Sequence, residues 1–342
     1  MKQFLKYFSL SLFVSLLFFS FSREGAFASD ELDFTPCEPA ETLGSINRDL
    51  KITINGEENP LFCEFEDREK AMQTLKERIP EYLEKFAKEN KLKELDSTNW
   101  KQYKVALRET DFPPTTEEGR LLNVFLGTYE DTDLNKETIK YVTAKKGEFK
   151  DSELVGIASM LPYNSKVSVA NNEKRLAEQK LKNHINAVNM TSARAYASAY
   201  SWNPNTAYLY YAGADCTNYV SQILNNSGVP QTSAWYPYST PWINTPAFAS
   251  TMGVGASYGS NHLGFSQAIG DGNVILLDSD KNYTWDHAGF VTYQNSSPAQ
   301  YNNGYYYDYM VTQHSSNYYK WAHESGNGWP TAGGYYGRAW GF

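Results

Sequence analysis

A break in surface chemistry at Thr191 constrains this chain more than any other feature. Of its 31 Lys and Arg, only Arg194, Lys281, Lys320 and Arg338 follow that residue, whereas 20 of its 26 Tyr and seven of its eight Trp do. A charged first part suits a solvated helical body, while an aromatic, charge-poor second part must bury or rim its rings on a small sheet. The 342 residues suffice for two domains of ordinary size. The expected organisation is a leader at 1–28, a charged and mainly helical region at 29–187, and a second domain at 188–342.

The leader is read from Lys2 and Lys6, the apolar run Phe8 to Phe21, and the small-residue step Ala26-Phe27-Ala28. That pattern predicts a secretory signal cleaved after Ala28, with an uncleaved anchor as the second reading, since the run has 14 residues and a spanning helix needs about 20. Losing Lys2, Lys6, Arg23 and Glu24 with it takes the net charge from −8 to −10. Such a balance argues against nucleic acid or an anionic membrane as partner. No later segment reads as membrane-spanning, so the expected location is extracellular.

An exported chain meets oxidising surroundings, and three cysteines leave one over. Cys37 and Cys63 flank a short segment and, if bridged, would stabilise it by about 3–4 kcal/mol. Cys216 is then the free thiol.

The N-terminal region shows apolar positions at helical spacing over 66–95: Met72, Leu75, Ile79, Leu83, Phe86 and Leu92, with Pro80 expected to break the helix. Pro113-Pro114 marks a loop. Thr115 to Glu118 opens another helix with Leu121, Leu122, Phe125 and Leu126 as its apolar face, and a last charged helix is expected over 171–189. No ligand cluster or phosphate loop stands out here. Inhibition, targeting and chaperoning are all open as its task.

The chemistry-bearing stretch is Ala212 to Leu224. Gly213 permits a tight turn, Asp215 suits an N-cap, and Tyr219, Val220, Ile223 and Leu224 make the stripe of a buried helix. Cys216 falls in the first turn, where unpaired N–H groups and the helix dipole favour a thiolate. Acyl chemistry then needs a base and a group to orient it. Of the five histidines, His184 lies in the charged helix, His262 in a Gly/Ser-rich loop over Ser257 to Gly270, and His323 in a polar tail. His287 starts a short apolar strand and His314 ends another, with a hairpin-like connection between them. Together with Cys216 they form a candidate Cys-His-His site.

These residues resemble a family. The block Asp215-Cys216-Thr217-Asn218-Tyr219-Val220-Ser221-Gln222, then Trp285-Asp286-His287 and Val311-Thr312-Gln313-His314-Ser315, look like the putative amidase domain of Gram-positive bacteria. That domain is related to NlpC-type and CHAP cysteine peptidases. Thr191 to Ala197 and Trp202-Asn203-Pro204 fit its opening, and the likeness covers roughly residues 188–320. It implies a papain-like α+β fold and amide hydrolysis without metal or other cofactor, acting on a peptide or peptidoglycan-like substrate of the cell wall. Cys216 would attack as thiolate, His287 would shuttle the proton, and His314 would orient His287, with Gln313 and Asn317 in reserve. Strand alternation sets Gln313 on the face opposite His314. The Cys216 N–H would help hold the oxyanion, with one of Tyr208, Tyr210 and Tyr211 as second donor. Gly272-Asn273 departs from the family's Gly-Asp.

Two other features were weighed. Asp278, Asp280, Asn282 and Asp286 have the oxygen spacing of a calcium loop, but Tyr283 and Gly289 occupy positions where such loops carry Gly and Glu, which favours a plain polar turn. Tyr305-Tyr306-Tyr307, Tyr318-Tyr319 and Trp321 could stack on glycan, yet read better as core and rim of a sheet. The leading reading is a secreted cysteine amidase or peptidase. Its rivals are a catalytically silent cell-surface binding module and an acyltransferase or cross-linking enzyme.

Overall fold

A computed structural model describes residues 37–145, 149, 157, 160–162, 188–282 and 284–339. The expected leader, most of the expected helix at 171–189, and Tyr283 lie outside the described residues.

In the first part, α1 (Glu38–Glu41) is followed by four short strands: β1 (Ile46–Asn47), β2 (Lys51–Ile54), β3 (Glu57–Pro60) and β4 (Glu64–Phe65). Strand β1 pairs with β4 and β2 with β3, both antiparallel. Cys37 and Cys63 are bridged, with Cα atoms 6.3 Å apart. Helices α2 (Arg68–Arg78) and α3 (Pro80–Glu89) are the expected helix broken at Pro80, which lacks the N–H a continuous helix would need and starts the second one instead. Helix α2 is capped by Asp67, whose carboxylate accepts from the Lys70 N–H at 2.9 Å. Helices α4 (Trp100–Thr110) and α5 (Glu117–Lys145) complete this part. Its core joins Leu75, Leu83, Phe86, Trp100, Tyr103, Leu107, Leu122 and Phe125 across all four long helices.

The second part contains α6 (Met190–Tyr200), α7 (Cys216–Asn226), α8 (Thr240–Ile243), α9 (Thr245–Met252) and α10 (His262–Ala268). Its strands are β5 (Val254–Ser257), β6 (Val274–Asp278), β7 (His287–Tyr301), β8 (Gly304–Gln313), β9 (Tyr318–Trp321) and β10 (Tyr335–Ala339). They form one antiparallel sheet in the order β5-β10-β6-β7-β8-β9. The class is therefore mixed α+β with a C-terminal antiparallel sheet. Helix α10 stands where the sequence reads as a loop: Asn261 accepts from the Gly264 N–H at 2.9 Å and starts it, while Phe265 buries against the sheet.

The sheet buries both faces. On one, Tyr219, Val220 and Ile223 of α7 pack with Val274, Leu276, Ala288 and Phe290. On the other, Phe265 and Trp329 pack with Ile275, Leu277, Val291 and Val311. Tyr306 and Tyr318 are buried, Tyr305 is exposed and Trp321 is half-buried, the distribution of a core and its rim. The described residues hold together as one compact unit. Among the described residues, no helix is long and apolar enough to cross a membrane.

Candidate active site

Gly213 makes the turn into α7. Its φ of +70° is left-handed, and a Cβ there would lie 2.8 Å from the Cα of Val105 in α4, so both conformation and space require glycine. Asp215 takes the N-cap position but caps no helical N–H. Its Oδ1 instead accepts from the Tyr211 N–H at 3.0 Å and from Asn218 Nδ2 at 2.7 Å, while its own N–H donates to Ser315 Oγ at 3.0 Å. The start of α7 is thereby tied to the chain just beyond β8. Cys216 is 3% exposed, and its Sγ lies 3.7 Å from both Thr217 Oγ1 and Thr245 Oγ1.

His314 does not orient His287. Its Nδ1 faces Asp215 Oδ2 at 2.5 Å, its Nε2 donates to the Tyr200 carbonyl at 2.8 Å, and its ring stacks on Tyr219 with centroids 3.8 Å apart. The group that meets His287 is Gln313, whose Oε1 lies 2.9 Å from His287 Nε2. The physical reason is register. Near the turn Tyr301 pairs with Gly304, but irregularities between Val291 and Tyr293 and between Gln294 and Pro298 shift the pairing by three residues, so that Phe290 faces Thr312. An odd shift exchanges the faces of every later side chain. As formed, the ladder sets odd-numbered residues at the end of β8 on the face of His287 and even-numbered ones on the other, so Gln313 reaches His287 and His314 does not. Asn317, the other reserve, accepts from the Ser315 N–H at 3.1 Å and shapes the turn.

The network also fixes which imidazole nitrogen carries the proton. Gln313 Nε2 faces three carbonyls, those of Phe112, Ser315 and Ser316, at 3.1, 3.3 and 3.1 Å, so this end of the amide is the donor. Its Oε1 accepts from Trp329 Nε1 at 2.8 Å and hence from His287 Nε2–H. Nδ1 is left as a bare lone pair, buried and without a hydrogen-bond partner. Burial pushes the His287 pKa down to about 4, against a smaller upward pull from the Gln313 hydrogen bond. The imidazole is neutral at physiological pH.

Cys216 and His287 are not joined in this conformation. Nδ1 has no partner, and His287 leaves the sheet on the Trp329 face, opposite the face on which α7 packs. Of the three tyrosines considered as oxyanion donors, Tyr208 stacks on Trp242, Tyr210 OH donates to Glu109 at 2.9 Å, and the Tyr211 N–H is taken by Asp215.

The acidic turn before β7 is buried and meets the first part of the chain. Oxygens of Asp278, Asp280 and Asp286 lie within 4.8 Å of one another. Asn282 Nδ2 reaches Asp131 Oδ2 of α5 at 3.3 Å, and Asn123 Nδ2 donates to Ser279 Oγ at 2.7 Å. Burial and then the neighbouring Asp286 raise the pKa of Asp280 to about 7; burial and then Asp280 raise that of Asp131 well above the usual range. The turn is braced internally, since Asp286 Oδ2 accepts from Ser279 N–H and Oγ at 2.8 and 2.6 Å.

No sequence pattern points to the residues around His287 that come from α4 and the turn after it. The ring of Phe112 meets His287 edge-on with centroids 4.7 Å apart, and Arg108 donates to the Asp286 carbonyl at 2.9 Å. These partners lie well over a hundred residues away in the chain, and no local pattern marks them. Trp329, by contrast, lies in the aromatic second part, whose rings are expected to line a core or its rim.

Comparison with known proteins finds likeness over parts of the chain. A stretch of 59 residues is 44% identical to an uncharacterized protein, YjcM, of Bacillus subtilis (strain 168), covering 17% of this chain and 14% of the relative. The chain thus spans only a small part of that relative's length. No solved structure matches. Residues 187–336, the part that holds Cys216, His287 and Gln313, match the family described as a putative amidase domain.

Proposed function

We propose that the chain is a cysteine-dependent amide hydrolase in which Cys216 is the nucleophile, His287 the base and Gln313 the residue that orients it. The observation that carries this reading is the bare Nδ1 of His287, held in that tautomer by Gln313 and Trp329. Cys216 Sγ would lose its proton to Nδ1 and attack the amide carbonyl. Collapse of the tetrahedral intermediate would break the C–N bond, with the His287 proton passing to the leaving amine, and water would then cleave the thioester. Positioned at the first residue of α7, the sulfur also has the helix N–H groups at hand for the oxyanion. For the sulfur to reach Nδ1, the His287 ring must leave Trp329 and turn through the start of β7 to the face on which α7 packs.

The signal-like N-terminus supports an extracellular substrate, and peptidoglycan stem peptides are the class we favour. Digests of cell walls and peptides, compared by mass spectrometry for the wild type and Cys216→Ala, test the proposal. New amine and carboxyl termini that vanish in the variant are the expected result; identical digests overturn it. Joined rather than hydrolysed products would mark acyl transfer instead.

A second reading, a binding module that has lost turnover, is favoured by one observation: Sγ and Nδ1 are unjoined and His287 is fully buried. It predicts substrate binding with no cleavage in the same digests.

A further inference from the structure

One segment of the first part lies against both sides of this site. At the cysteine side, Val105 packs on Gly213, and the Glu109 carboxylate accepts from the Gly213 N–H and from Tyr210 OH, the latter at 2.9 Å. At the histidine side, Arg108 holds the Asp286 carbonyl, Phe112 covers the His287 ring, and the Phe112 carbonyl takes a hydrogen bond from Gln313. Pro113 continues the contact, its carbonyl so near Gly328 that a Cβ there would lie 2.3 Å away. Few contacts of a supporting scaffold would be spent this way: the backbone N–H before the nucleophile helix, the face of the base and the amide of its orienter are all occupied by a single run of nine residues.

We infer that Val105–Pro113 is an autoinhibitory strap, which clamps the turn before Cys216 and covers His287 until it is displaced. This deepens the reading of Cys216 and His287 as the reacting pair and rests on it. Displacement would free the Gly213 N–H and the His287 ring together, because Phe112 follows directly on α4, which carries Val105 and Glu109. The structure described here is then the latent form.

The test uses the full chain and two chemical probes read by mass spectrometry: diethyl pyrocarbonate for His287 and iodoacetamide for Cys216. In Phe112→Ala, with its fold checked by circular dichroism, His287 modification and Cys216 alkylation should both rise roughly tenfold over wild type, in the range of ordinary coupling between sites. Glu109→Gln, which loses only the carboxylate charge, should raise both by a smaller factor and decides the matter if Phe112→Ala does not fold. Unchanged rates at both residues in a folded variant overturn the strap. If His287 is unmasked but the Cys216 rate persists after adding His287→Ala, the strap stands and the base role fails.

Discussion

Gln313, not His314, accepts the Nε2 proton of His287, at 2.9 Å. The two neighbours on one strand therefore have separable tasks: Gln313 sets the tautomer of the base, and His314 locks the turn before Cys216. Replacing each should give different phenotypes.

His314→Ala should act on stability. It removes the partner of the buried Asp215 carboxylate and the ring stacked on Tyr219, and breaking a buried pair of this kind costs about 3–5 kcal/mol. Urea unfolding should show a lowered midpoint. A midpoint like that of the wild type would mean the His314–Asp215 contact contributes little.

Gln313→Ala should act on reactivity. With Nε2 released, the bare lone pair is no longer confined to Nδ1, and in a Phe112→Ala background Cys216 alkylation should slow by roughly tenfold, a part of the roughly 10²–10⁴-fold that general base catalysis supplies. An unchanged rate would remove Gln313 from the orienting role.

Stability should fall in acid because of His287. Its folded pKa of about 4 lies below the unfolded value of 6.5, so the unfolded chain binds more protons between these pH values. The contribution is fully present above pH ~6.5 and is lost as pH falls toward ~4. His287→Gln should flatten that part of the stability profile relative to wild type; a profile as steep as the wild type's would show that other groups, the half-buried His262 with its pKa also lowered to about 4 among them, carry it.

Asp280 should slope the other way. Its folded pKa of about 7 lies above the unfolded 3.8, so the folded state holds the extra proton and stability declines as pH rises from about 4 to about 7. Asp280→Asn should therefore stabilise the protein at pH 8 more than at pH 5, as measured by thermal unfolding. An equal effect at both pH values would contradict the assignment.

Reducing the Cys37–Cys63 bridge, or Cys37→Ser with Cys63→Ser, should cost about 3–4 kcal/mol by the entropy of the loop it closes. Cys216 reactivity should be little changed, since the bridge packs in the core of the first part. A loss of Cys216 reactivity in step with the loss of stability would tie the two regions more closely.

What could be read from residues alone was what local chemistry fixes. Pro80 divides α2 from α3 because it cannot donate an N–H, and Asp215, Cys216 and the stripe from Tyr219 to Leu224 place the cysteine at a helix start. The pairing of His287 with Gln313 was not legible, because two irregularities in the β7–β8 ladder invert which side chains share a face, and nothing near them in sequence announces a three-residue shift. Helix α10 was hidden by glycine and serine, which read as loop until Phe265 finds the sheet. The contacts of Arg108, Glu109 and Phe112 span 101 to 201 residues of chain and exist only once both parts have folded.

The central claim is that the imidazole of His287 activates the sulfur of Cys216. Iodoacetamide alkylation of Cys216 near neutral pH, followed in Phe112→Ala and in Phe112→Ala with His287→Ala, measures this with the covering ring removed from both proteins. The account predicts that the second protein is alkylated at least roughly tenfold more slowly. Equal rates in the two folded proteins would contradict it.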